Sequence, residues 1–229
     1  MPSWGIHLAT SYAVANRIKI KDKNTFIIGN FLPDAERYVI KDFSIYVPYD
    51  KSHFAKIVKI NGVEEKLPNY NEFINKYRRN LDNPIILGYL THLLTDYYWN
   101  HLTFSKYTAS NEHGDVTGVY INETDFLKGD RELRRILKQN DFANFDKEII
   151  QTQKYELPVF TKNCMKSLKS LEETRYSSND ILKIENYLKD MLSIKHKEKN
   201  YEYKMFTKEK LNEYYNQSIE FIVNILNNL

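Results

Sequence analysis

His92 and Asp96 stand four residues apart in the stretch Gly88-Tyr-Leu-Thr-His92-Leu-Leu-Thr-Asp96-Tyr-Tyr-Trp99, which is otherwise apolar and aromatic. Four residues is one turn of an α-helix, so the two side chains share a face if the stretch is helical. An imidazole and a carboxylate presented by one rigid element can hold a divalent ion between them, or can simply hydrogen-bond to each other in a core. A buried aspartate is rare unless it is paired or bound to metal, and this stretch offers little else that is polar. The positions of the other histidines and aspartates therefore decide what the pair can do.

Five of the six histidines (His7, His53, His92, His101 and His113) lie in the first half of the chain, together with Asp34 and Asp96. His196 is alone in the second half, within the charged run Lys195 to Lys199, which reads as a solvated loop. Each divalent ion in a hydrolytic site needs three or four N or O ligands and an open position. Cys164 is the only cysteine, so the donors must be histidine and carboxylate and no disulfide can form within the chain. That donor set suits a hydrolytic zinc site better than a structural one.

The elements that would position these groups read mostly as helices. Trp4, Leu8, Tyr12 and Ala15 recur at helical spacing from a Ser3 cap to about Ile18, and His7 falls on that stripe. Thr25 to Phe31 is a short apolar segment that Asn30 and Pro33 are expected to break, leaving Asp34 at its exit. Arg37 to Lys66 lacks a clean period and reads as extended loop around His53, with Ile60-Asn61-Gly62-Val63 as a hairpin turn.

A helix is expected over Tyr70 to Asn80. A second follows from Pro84 to about Leu102, capped by Asp82-Asn83 with Pro84 in its first turn. Thr103 to Lys128 is polar and reads as a loop or small hairpin overhanging a site, carrying His113 and Asp115. Downstream, Asp130–Gln139, Asp141–Gln153, Pro158–Leu171 and Ser178–Ile194 read as amphipathic helices, with Asn140-Asp141 as a cap. A last helix follows Thr207. The expected fold is all-α, one helical domain over 1–229 with its metal-site half in about 1–128 and the helices from about 130 completing or flanking the bundle.

Composition agrees. The 229 residues include 18 Tyr and 12 Phe but only 7 Gly and 6 Pro, a balance favouring helices with short connections. A net charge of +3 without a basic arm or stripe gives no nucleic-acid patch. No window is apolar enough to span a membrane, and the N-terminal segment is interrupted by His7, Thr10 and Ser11, unlike a signal sequence. A cytoplasmic, soluble protein is the expectation.

Taken in order, Trp4 with His7, Ile28-Gly-Asn30-Phe-Leu-Pro-Asp34, Ser52-His53-Phe54 and Gly88-Tyr-x-x-His92-x-x-x-Asp96 resemble the zinc-dependent phospholipase C family, which is related to the S1/P1 nucleases. The resemblance covers roughly residues 3 to 101. It implies a helical bundle of the phospholipase C and P1 nuclease type with up to three zinc ions, hydrolysing a phosphoester (a soluble diester or a phospholipid). By the same resemblance, Asp34, His53, His92 and Asp96 hold one zinc, and Asp96 bridges to a second held by His7. Asp34 matches the family's general base.

The chain departs from the family at three points. Trp4 lies inside the chain rather than at a mature N-terminus, where its amine and carbonyl would bind zinc. His101 and His113 are the candidates for a third zinc, but Thr117 stands where that site's glutamate belongs, leaving Asp115 or Glu112 as substitutes. His101 also lies five residues past Asp96, about 140° around a helix and off the His92/Asp96 face. These departures keep open a non-catalytic binding or scaffold protein on a degenerate metal-site fold. An HD-type phosphohydrolase is disfavoured, since no His-Asp dipeptide occurs.

Overall fold

The computed structural model describes residues 2–40, 47–152, 154–172, 176–193 and 201–229. The Lys195–Lys199 run with His196 lies outside them. The fold is mostly α-helical, with two small antiparallel sheets. Among the described residues no helix is long and apolar enough to cross a membrane.

Helix α1 spans Trp4–Arg17 and buries nearly all of its first two turns. Ser3 precedes it but does not cap it through its own side chain; its hydroxyl hydrogen-bonds instead to Asp146, which also accepts from the Ile6 N–H at 2.8 Å. Helix α2 runs without interruption over Lys23–Ala35, with Asp22 accepting from the Thr25 N–H at its start. The expected break at Pro33 does not occur. The missing N–H falls in the last turn, where one ladder bond is lost, and the backbone then widens into a π-helical turn over Glu36–Ile40. Asp34 is thus carried on a helix.

The segment expected as extended loop is ordered in part. A short helix α3, Tyr49–Ser52, delivers His53 at its C-terminal end. Strands β1 (Ala55–Ile60) and β2 (Val63–Pro68) then pair around Asn61-Gly62, both at positive φ, as the hairpin reading requires. Helix α4 covers Tyr70–Tyr77 under an Asn69 cap.

Helix α5, Pro84–Tyr107, begins at an Asn83 cap with proline in its first turn, as its sequence implies. It runs a turn further than expected, and Thr103 and Ser105 turn their hydroxyls to the carbonyls of Trp99 and Leu102 within the helix. The stretch read as a loop or small hairpin therefore starts in α5 and becomes the antiparallel sheet β3 (Thr108–Ser110), β4 (Val116–Ile121) and β5 (Asp125–Lys128).

The remaining helices are α6 (Arg131–Ile149), α7 (Lys162–Leu168), α8 (Ser178–Ser193) and α9 (Lys208–Asn227). Asp130, Thr161 and Thr207 cap α6, α7 and α9. Two helices were expected where α6 runs through, because Asp141 does not cap its own chain neighbours. Its buried carboxylate accepts the N–H groups of Lys204, Met205 and Phe206, holding the approach to α9.

Helices α2 and α5 pack against each other at the centre, and α1 lies across both. Their approach is unusually close. A methyl group on Gly29 would collide with the Ile85 carbonyl, and one on Gly88 with the Phe26 carbonyl. Only glycine lets the two backbones meet this way. Trp99, Tyr89, Phe26 and Phe31 fill the surrounding core.

Candidate metal centre

Four elements converge on one buried point. Helix α1 supplies His7, α2 supplies Asp34, the end of α3 supplies His53, and α5 supplies His92 and Asp96; all five are essentially inaccessible to solvent. Two overlapping groups result, His7 with His92 and Asp96, and Asp34 with His53 and His92, and each could hold a metal ion.

The distances within the cluster are informative. His53 Nε2 lies 3.5 Å from Asp34 Oδ1 and 3.5 Å from Asp96 Oδ2. His92 Nε2 lies 3.8 Å from Asp34 Oδ2 and 3.7 Å from Asp96 Oδ2, and His7 Nε2 lies 3.4 Å from Asp96 Oδ1. These separations are long for hydrogen bonds, whose N···O distances cluster near 2.9 Å. They do suit ligands sharing an ion: zinc bonds of about 2.0–2.1 Å at tetrahedral angles place neighbouring donors roughly 3.3–3.4 Å apart. Asp96 directs one oxygen at His53 and His92 and the other at His7, the disposition of a bridging carboxylate.

The imidazoles are held in matching orientations. His92 Nδ1 donates to the Asn30 main-chain carbonyl at 2.8 Å. A carbonyl can only accept, so the Nδ1 proton is fixed and Nε2 turns its lone pair inward. Burial, and then the neighbouring His7, hold the His92 pKa well below the ordinary histidine range, keeping the ring neutral. His53 Nδ1 sits 2.9 Å from Ser52 Oγ, and Tyr89 donates its hydroxyl to the Ser52 carbonyl. The His7 ring stacks on His92 with centroids 4.1 Å apart, and Tyr49 stacks on His53 at the same distance.

His53 Nε2 and His92 Nε2 face each other at 3.2 Å. The inward lone pair of His92 Nε2 can accept a proton from His53 Nε2 or, when Ser52 accepts from His53 Nδ1, share a cation with it. Among the described residues neither oxygen of buried Asp96 has a well-formed hydrogen bond, and His7 Nε2 comes no nearer than 3.4 Å. Burial alone would raise the Asp96 pKa, but the His7 imidazole, with His92 and His53, outweighs it and keeps the group ionised. An ionised carboxylate without a donor is costly in a core, and a bound cation removes that cost. The residues present therefore fit zinc.

The structure does not bring the remaining candidates to this cluster. His101 is exposed on α5 and stacks on Tyr97. His113 is 75% exposed, with Glu112 at 3.6 Å, in the connection between β3 and β4. Asp115, also exposed, exchanges hydrogen bonds with Asn111 in that same connection. Thr117 lies in β4. Trp4 opens α1 with its ring against Phe31 and Tyr187.

Sequence reasoning missed the supporting residues: the Asn30 carbonyl, the Ser52 hydroxyl, Tyr49 and Tyr89. Asn30 and Ser52 stand beside predicted ligands, so their positions were signalled even though their roles were not. Asp146 gave no signal, being about 140 residues from the helix end it holds. Beside the cluster, a cavity of about 30 Å³ is bounded by Asp34, Glu36, Val47, Tyr49 and His53, among others.

No curated protein and no solved structure matches the chain. A family model described as zinc dependent phospholipase C matches residues 6–228, nearly the whole sequence and well beyond the motifs that end near residue 101. With that span and two buried donor groups suited to zinc, the chain belongs to the zinc-dependent phospholipase C family.

Proposed function

We propose that this protein is a zinc-dependent phosphodiester hydrolase of phospholipase C type. The observation carrying this reading is the set of five buried donors, whose imidazole-to-carboxylate separations of 3.4 to 3.8 Å suit ligands of a shared ion better than hydrogen bonds. In the proposed arrangement Asp34, His53 and His92 hold one ion with Asp96 Oδ2, and Asp96 Oδ1 shares a second with His7. Bound zinc lowers the pKa of water to near 7 and stabilises charge on the attacking and leaving oxygens of a phosphoester. Asn30 fixes the tautomer that aims His92 at the ions, and Ser52 orients the His53 ring. Asp34 borders the small cavity, which has room for a water, and its carboxylate is placed to accept that water's proton. The substrate proposed is a soluble phosphodiester in preference to bulk lipid. The cavity beside Asp34 is too small for an acyl chain, so the rest of the substrate would lie outside it.

The test is hydrolysis of bis(p-nitrophenyl) phosphate by the zinc-loaded protein and its Asp34→Asn variant. Loss of a general base costs about 10²–10⁴-fold in rate, and that loss is expected with the fold intact. Unchanged turnover would remove Asp34 from the role. A non-catalytic metal-binding protein is the second reading, favoured by the exposed positions of His101 and His113. It would show zinc bound and no diester turned over.

A further inference from the structure

Two cations are buried on α6, alongside α5, and the buried Asp96 carboxylate of the metal centre is among the charges that act on Lys138. Arg134 is only 5% exposed, and Lys138, one turn later, only 7%. The Arg134 guanidinium lies 3.6 Å over the Phe104 ring, and among the described residues its Nε and Nη1 have no hydrogen-bond partner. Its nearest carboxylate is Glu65 on β2, 3.9 Å from Nη2, and that group is already held by Arg131 at 2.6 and 2.9 Å. Lys138 Nζ donates to the neutral Asn100 amide at 3.1 Å. Burial is felt by both groups: the Arg134 pKa falls to about 10, and that of Lys138, with Arg134 beside it, to about 8.

A buried charge is normally paired. Among the described residues the one carboxylate within 4 Å of either cation is Glu65, and it is committed to the exposed Arg131, while Asp96 acts on Lys138 from farther away. Asn100 and Phe104 follow Asp96 at one-turn intervals on α5, so the pair lies roughly 6–12 Å along that helix from the metal centre. From this geometry we infer that Arg134 and Lys138 form a second site, for a phosphate-type oxyanion, with Arg131 and Glu65 at its rim. A guanidinium fork with free nitrogens and a neighbouring ammonium match the acceptor oxygens of a phosphate group. Glu65 competes with that ligand for the same cations.

Inorganic phosphate is the probe, titrated by calorimetry at low ionic strength into the full-length zinc-loaded protein. One phosphate is expected to bind, at least tenfold more weakly in Arg134→Met and Lys138→Met, and more tightly in Glu65→Gln. His92→Ala, which disrupts the metal centre, is expected to keep the site. Since binding is read without turnover, its failure is separate from failure of the hydrolase reading.

Melting of each variant in phosphate-free buffer gives a second readout. A residue kept for ligand binding and not for folding leaves Arg134→Met no less stable than the parent. Phosphate binding that survives both cation substitutions, or disappears with His92→Ala alone, would place the ion on the metals and overturn the inference. Absence of binding would do the same.

The source of the oxyanion follows from comparing a phosphodiester with and without a second phosphate. If Arg134→Met lowers kcat/KM only for the doubly phosphorylated substrate, the substrate supplies the group. If neither substrate is affected while phosphate binding is lost, the ligand is free phosphate.

Discussion

Of the ligand candidates in the metal centre, His92 has a neighbour that settles where its proton sits, the Asn30 carbonyl, while the Ser52 hydroxyl orients His53. Acid should therefore unmake the site in a defined direction. The folded-state pKa of His92 is depressed below the unfolded value near 6.5. The unfolded chain thus takes up that proton first, and stability is expected to fall as pH drops below about 6.5, with zinc release in the same range. Asp96, also depressed, adds a loss at lower pH, below its unfolded value near 4. Denaturant melts from pH 7.5 to 4.5 check this, and a midpoint independent of pH across that range would contradict it. The five clustered residues were legible in the sequence through residue type and order. The exposed positions of His101 and His113 depend on how far α5 runs before the chain turns, which local spacing does not disclose.

At the scale of elements, the pair α2 and α5 is what makes the centre possible, because it brings Asn30 and Asp34 against His92 and Asp96. Gly29 and Gly88 permit that approach, so Gly88→Ala must push the helices apart or strain them. A cost of about 1–3 kcal/mol is expected for such overpacking, together with weaker zinc binding. Urea denaturation and zinc competition with a chelating dye measure the two effects, and an alanine variant with unchanged stability would refute the close-packing account. Helix α1 is fixed from outside itself: Asp146→Ala removes the acceptor for Ser3 and Ile6 at its first turn. By analogy with lost caps, about 1–2 kcal/mol of stability should go with it, visible in the same denaturation assay.

Helices with local caps, α4, α5 and α9, could be read from the sequence because Asn69, Asn83 and Thr207 act on their own chain neighbours. The break expected at Pro33 was misread because the proline falls in the last turn of α2, where one ladder bond is lost, and the division expected at Asn140-Asp141 because Asp141 holds a distant backbone, that of residues 204–206.

For the whole molecule, the helical character followed from composition, and the two small sheets were signalled only by the Asn61-Gly62 turn and by the loop or small hairpin read over Thr103 to Lys128, whose three strands local sequence did not disclose. A net charge of +3 over 229 residues gives little long-range steering, so local groups such as the buried centre matter more to recognition. Because that centre joins α1, α2, α3 and α5, metal binding is also folding energy. Zinc at about a thousand times its Kd contributes roughly 4 kcal/mol, and its removal should lower the Tm by on the order of 10 °C for a chain of this size. Calorimetry with and without a chelator tests this. The most direct test of the central claim is the zinc content of protein purified without chelator, measured by plasma mass spectrometry beside His92→Ala. One or two zinc ions per chain in the parent and a clear loss in the variant are predicted. A parent protein free of metal that takes up none on titration would contradict the account, leaving the five residues as a polar core.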